Sequence, residues 1–131
     1  KPGAPLHRYS GFTAAAWQCH PESRGSVTLA SSDPLAPPRI ATNYLEAEPD
    51  RRTLVAGIRM LREIYSQPAF RELVDVEVLP GKDAQSDADL LDFARAQGGT
   101  VFHCVGTCRM GSDADAVVDP TLRVRGVGNL Q

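Results

Sequence analysis

The polar and apolar positions of this chain change period twice, and each change marks an element. Ser26-Val27-Thr28-Leu29-Ala30-Ser31 sets Val27 and Leu29 against polar and small neighbours, a period of two that predicts a half-buried strand. Ser32-Asp33-Pro34 and Pro37-Pro38 interrupt it, and Arg39-Ile40-Ala41 follows as a short edge segment. From Asp50 the spacing becomes helical: Leu54, Ile58, Leu61 and Tyr65 stack along one face, with Asp50 as the expected N-cap and Pro68 just past the end. Arg51, Arg52, Arg59, Arg62 and Glu63 then form the helix's solvated face. Val74, Val76 and Val78 alternate with Asp75 and Glu77, a second strand pattern closed by Pro80-Gly81. Ser86 opens another helix, with Asp89 three residues on in a capping-box arrangement, Leu90, Phe93 and Ala94 as its stripe, and Gly98-Gly99 at its end.

Around these elements the chain is less regular. Residues 1–11 read as an arm or linker. Phe12 to Cys19 is apolar enough for a strand with Trp17 as its large core residue. Ser23-Arg24-Gly25 marks a turn in which glycine accepts a positive φ. Val117-Val118 and Leu122-Val124 are short strands on either side of a turn at Asp119-Pro120. The order of strands, helix, strand, helix and short strands predicts an α+β fold, an antiparallel sheet covered by helices on one face. At 131 residues one domain is expected, spanning 12–131.

Composition narrows the function classes. Fourteen basic and 16 acidic residues leave a formal net charge of −2, and they are interspersed. That gives no electrostatic case for nucleic acid or an anionic membrane surface. No apolar run approaches the roughly 20 residues of a membrane-spanning helix. Cys19, Cys104 and Cys108 are an odd and sparse set, which favours a reducing compartment and a cytoplasmic location. The first residues show no basic stretch followed by an apolar run, so no leader is expected within them, and the opening Lys-Pro-Gly-Ala-Pro and closing Val-Gly-Asn-Leu-Gln read as cuts from a longer chain. No G-x-G-x-x-G follows a strand and opens a helix, so a dinucleotide-binding domain is not expected within these residues.

The chemistry concentrates in Thr100-Val101-Phe102-His103-Cys104-Val105-Gly106-Thr107-Cys108-Arg109-Met110-Gly111. His103 stands between an apolar run and a turn-forming Gly-Thr. An imidazole titrating near neutrality can accept a proton from an alcohol or steady the alkoxide that forms. A histidine after Val-Phe is by itself more often a hydrogen-bonded structural residue. Zinc is a second candidate role, since Cys19, His20, His103, Cys104 and Cys108 are all ligand types, but no C-x-x-C pair is present. Cys104 and Cys108 otherwise read as small core or pocket-wall residues. Arg24 and Arg109 can each hold an anionic group, against an ordinary ion pair to a neighbouring acid such as Asp33 or Asp113.

His103, Gly106-Thr107 and Met110-Gly111 resemble the H-x-x-G-T-x-x-M-G signature of the glucose–methanol–choline (GMC) family of FAD-dependent oxidoreductases. Val117-Val118-Asp119-Pro120 and Arg123-Val124 resemble the segment that leads back to the family's flavin domain. Pro21-Glu22-Ser23-Arg24-Gly25-Ser26-Val27, Ser32-Asp33-Pro34 and Asn43-Tyr44-Leu45 resemble the opening of its C-terminal substrate-binding domain and lean toward the choline-dehydrogenase-like branch. The resemblance implies oxidation of an alcohol to an aldehyde or ketone, with His103 as the catalytic residue handling the hydroxyl proton and FAD taking the hydride. It implies that the backbone at Val105 and Gly106 lies near the flavin. It places a second catalytic histidine or asparagine, and an aspartate that helps hold the flavin, beyond Gln131. The expectation is therefore an incomplete C-terminal domain whose partner is the missing FAD-binding domain, with no FAD bound and no turnover by this chain alone. A non-enzymatic small-ligand-binding or self-associating module is the alternative, and a zinc-binding domain a third.

Overall fold

The computed structural model describes residues 7–131, which form two compact units. The first holds residues 7–23 and Leu45–Gln97, and the second Arg24–Tyr44 and Gly98–Gln131. Among the described residues no helix is long and apolar enough to cross a membrane.

The first unit is built on two packed helices, α1 (Glu48–Tyr65) and α2 (Asp87–Gln97). Val55 of α1 and Leu90 and Ala94 of α2 are its buried apolar side chains, and Leu90 is fully enclosed. Leu54, Ile58, Leu61 and Tyr65 lie half-buried on one face of α1, as their spacing predicts. Tyr65 also holds Phe12 and Phe70, with ring centroids 5.1 and 5.0 Å away. The capping box of α2 is present in both directions: Asp89 N–H donates to Ser86 Oγ at 3.1 Å, and Ser86 N–H to Asp89 Oδ2 at 2.9 Å. The first turn of α2 is thereby fixed by its own sequence.

Asp50 does not cap α1. Ala47 occupies the N-cap and brings no side-chain acceptor, while Pro49 supplies a preset φ in the first turn. Asp50 is instead 2% exposed and turns its carboxylate onto residues 22–23. Oδ1 accepts the Glu22 amide at 2.8 Å, and Oδ2 accepts the Ser23 amide at 2.8 Å and its hydroxyl at 2.5 Å. Ser23 Oγ in turn accepts the Ala47 N–H at 3.0 Å, so the cap comes from 24 residues away. Local patterning marks a polar residue at a helix start. It does not reveal which distant backbone that residue serves.

The second strand pattern is not a strand. Phe70 O accepts the amides of both Leu73 and Val74, which prolongs the turn after the 3-10 segment Pro68–Phe70. Val76 and Val78 are exposed, and Glu77 points inward to Arg62 Nε at 3.0 Å. Arg62 is therefore half-buried rather than solvated, and it also donates to Ala84 O and Gly81 O. Arg59 meets Asp87 and Gln85 O in the same way. Two arginines thus bind the connection between the helices to α1, and this demand overrides the alternating valines. Phe12 to Cys19 is likewise irregular, and Trp17 is 60% exposed rather than a core residue.

In the second unit β1 (Ser26–Thr28) and β2 (Arg39–Ala41) form a two-stranded antiparallel ribbon, with Val27 opposite Ile40. Both strands are exposed, and Val27 and Leu29 are not half-buried as their alternation predicts. Gly25 keeps an ordinary φ, so the reason for glycine there is space. A Cβ at Gly25 would stand 2.3 Å from Ala41 O and 2.9 Å from Thr42 O.

Asp50 carries a pH dependence. Its hydrogen bonds, first from the Ser23 hydroxyl and then from the Glu22 amide, outweigh desolvation and lower its pKa to about 2. A carboxylate whose pKa is depressed by folding stabilises the fold above its unfolded value, near 3.9, and that stabilisation is lost as pH falls toward the folded value. Thermal melts from pH 7 to pH 2 are expected to show Tm falling below about pH 4. In Asp50→Asn, Tm drops at pH 7 and much of the acid-dependent fall disappears. An acid limb unchanged by that substitution would assign it to other carboxylates.

Candidate functional site

Arg109 organises the site region through its main chain. Its N–H meets Gly106 O at 3.3 Å, which closes the turn after His103. Its carbonyl accepts the amides of Val117 at 3.1 Å and Val118 at 3.3 Å. Gly111 N–H donates to Val118 O, and Met110 bridges Val118 in parallel. Arg125 adds its guanidinium to Gly111 O at 3.0 Å and its amide to Val117 O at 3.0 Å. The two segments singled out in the sequence, 100–111 and 116–127, are therefore laid side by side. Ala116, 3% exposed, is the buried apolar residue between them.

The Arg109 side chain is committed to structure. Its guanidinium grips both carboxylate oxygens of Asp113, with Nη1 2.9 Å from Oδ2 and Nη2 on Oδ1. This pairing holds the Asp113 carboxyl well below the usual carboxylate range. The ion-pair alternative for Arg109 is the one observed. Gly111 sits under that pair, where a Cβ would come within 2.9 Å of Asp113 Oδ2. Asp119 shapes the next turn by accepting from the Thr121 amide, the Thr121 hydroxyl and the Arg123 amide on one oxygen. Val118 and Val124 then pair across it, so the short strands expected around Asp119-Pro120 exist as single bridges.

His103 lies on the exposed arc that leads into this arrangement. Among the described residues its imidazole has no hydrogen-bond or ion-pair partner, in contrast to the bonded structural histidine that its local sequence suggests. Phe102 before it has φ +62 and is 81% exposed, a left-handed conformation that costs a residue with a Cβ about 1–2 kcal/mol. Such a residue persists where its surroundings hold it. Thr100 Oγ1 accepts the Phe102 amide at 2.9 Å, and Cys104 on the far side is bonded to the Tyr44 hydroxyl at 3.1 Å. Val105 is 94% exposed, and Gly106 has φ +105 with no atom within 4 Å of where a Cβ would be. The result is an uncovered strip of backbone beside an exposed imidazole.

Cys104 and Cys108 are exposed thiols rather than core residues, as is Cys19. Among the described residues no three His, Cys, Asp or Glu side chains gather closely enough to hold a metal ion. The zinc reading thus has no geometric support. The contact that sequence reasoning missed is Tyr44 with Cys104, 60 positions apart. Asn43-Tyr44-Leu45 was visible as a segment, but nothing in its pattern points to residue 104.

Residues 21–131 match the C-terminal domain of the GMC oxidoreductases, so the chain belongs to the GMC oxidoreductase family. It is 39% identical over 121 residues to alcohol dehydrogenase [acceptor] of Pseudomonas putida, a match covering 92% of this chain and 22% of that protein. It is 43% identical to the oxygen-dependent choline dehydrogenase of Klebsiella pneumoniae, covering 94% of this chain and 24% of the relative. Pyridoxine 4-oxidase from Mesorbium loti superposes with a TM-score of 0.72 at 36% identity, over 80% of this chain and 20% of the oxidase. The chain thus spans about a quarter or less of the length of these proteins. The observed ribbon and two helices are the parts of the expected α+β fold found here.

Cys104 offers a direct check on the geometry. The Tyr44 hydroxyl first, and Thr100 second, favour the thiolate and lower its pKa. Site-resolved alkylation across pH is expected to find Cys104 reacting at lower pH than an ordinary thiol. Tyr44→Phe should shift that profile upward. A profile indifferent to the substitution would mean that the hydroxyl does not reach the sulfur.

Proposed function

We propose that this chain supplies the substrate side of an FAD-dependent alcohol oxidoreductase, with His103 accepting the hydroxyl proton of the alcohol. The observation that carries the reading is an exposed imidazole without a polar partner among the described residues, on a loop fastened at both of its neighbours, beside open backbone at Val105 and Gly106. That uncovered strip suits the flat ring of a flavin, because no side chain at Gly106 stands between a planar group and the main chain. FAD bound there would supply the two-electron acceptor for the hydride leaving the substrate carbon.

His103 would take the hydroxyl proton as that hydride leaves, so the alcohol becomes an aldehyde or ketone. Val105 and Gly106 would present main-chain groups to the flavin while His103 faces the alcohol. The names of the two relatives, an alcohol dehydrogenase and a choline dehydrogenase, support this substrate class. Arg109 would take no part in anion binding, since Asp113 occupies its guanidinium.

The FAD-binding domain would be this chain's covering partner. Phe102, Val105 and Met110 are apolar and more than half exposed, and apolar side chains left in water favour association. The chain by itself is accordingly inactive with alcohol and added FAD. At high concentration it should self-associate, which light scattering reads as a mass rising with concentration. A constant monomer mass would rule self-association out.

A graft tests the catalytic reading. This chain replaces the matching 121 residues of the Pseudomonas putida alcohol dehydrogenase, and anaerobic mixing with alcohol is followed by loss of oxidised-flavin absorbance. Flavin reduction is expected, slowed roughly 10²–10⁴-fold in His103→Ala with flavin content unchanged. Equal rates with and without the imidazole would defeat the assignment of His103.

A further inference from the structure

We propose that Tyr44 is a positioning residue for His103, acting through the Cys104 thiol. This rests on the reading of His103 as the group that handles the substrate proton. Since the imidazole has no polar partner among the described residues, its aim is set by the backbone of residues 102–104. That backbone includes a left-handed phenylalanine, a conformation that an unfastened loop would abandon.

The two fastenings differ in kind. Thr100 Oγ1 takes the Phe102 amide at 2.9 Å, a local bond that shapes the loop but does not anchor it to the fold. The anchor is Tyr44 Oη on Cys104 Sγ at 3.1 Å, one residue from His103, with Thr100 Oγ1 at 3.8 Å from the same sulfur. Tyr44 is held in turn by its neighbour. Asn43 has φ +49 and donates its side-chain amide to Arg24 O at 3.0 Å, immediately before the ribbon. A continuous path of bonds within one unit therefore runs from Arg24, two residues before β1, through Asn43 and Tyr44 to the residue beside the imidazole. Tyr44 is 55% exposed, so packing of its ring explains its placement less well than this bond does.

The test uses the full 131-residue chain and nuclear magnetic resonance, with His103→Gln assigning the ring among His7, His20 and His103. In Tyr44→Phe the His103 ring signal is expected to shift and its backbone order parameter to fall below about 0.6, with His7 and His20 unmoved. Cys104→Ala should do the same. Cys104→Ser, whose hydroxyl can still meet Tyr44, should restore the original signal. If Tyr44→Phe and Cys104→Ala both leave His103 unchanged, the proposal is overturned. In the grafted enzyme Tyr44→Phe should lower kcat about tenfold and leave KM within twofold, as misorientation of a proton acceptor would. The resonance arm needs neither flavin nor alcohol. A graft indifferent to His103→Ala therefore removes the catalytic reading, while the shift in Tyr44→Phe still decides whether Tyr44 positions the ring.

Discussion

The Asp50 carboxylate is the constraint on which the architecture of the first unit depends. It is enclosed at the start of α1 and accepts hydrogen bonds from Glu22 and Ser23, while Ser23 Oγ supplies the cap that Ala47 lacks. A buried carboxylate left without donors would be costly, so the segment at 22–23 has little freedom to sit elsewhere. Because α1 starts in this frame, its Arg59 and Arg62 stand where they gather the connection to α2. The helix pair then encloses Leu90. One charge, placed in the first turn and satisfied from a distance, orders a unit with a small apolar core.

The second unit is held differently. Main-chain bonds around Arg109, Gly111, Val117 and Arg125 bring its two signature segments together, with Ala116 as their buried apolar contact. This accounts for the coexistence of a defined loop with broad apolar exposure. Hydrogen bonds and turns specify the path of residues 100–127, and little hydrophobic burial does. Tyr44 extends the same logic to His103, with a single hydroxyl where a larger domain would use packing.

Elements with a strong local cause were legible in the sequence. The helix at 48–65 follows from Leu54, Ile58, Leu61 and Tyr65, the second helix from the reciprocal Ser86 and Asp89 box, and the edge segment Arg39–Ala41 follows the break at Pro37-Pro38. The failures share one physical source, partners remote in sequence. Val74 to Val78 alternates like a strand, but Arg62 draws Glu77 inward. Asp50 looks like a cap and serves residues 22–23. Gly25 looks like a positive-φ turn and is glycine because the carbonyls of Ala41 and Thr42 crowd it. At the site, the order of His103, Gly106-Thr107 and Met110-Gly111 identified the family, whereas the contact between Tyr44 and Cys104 had no local trace.

The bonds at Ser23 have one more consequence. The chain leaves the first unit after Ser23 and re-enters it at Leu45, and Ser23 and Ala47 are joined through a single oxygen. Residues 24–44 are thus an excursion whose two ends are clamped together by its host. The entropy of closing such a loop grows only slowly with its length. Its length and sequence can therefore drift over evolution with little cost to the helical unit that carries it. What constrains the ribbon, Tyr44 included, then comes from the second unit to which it belongs.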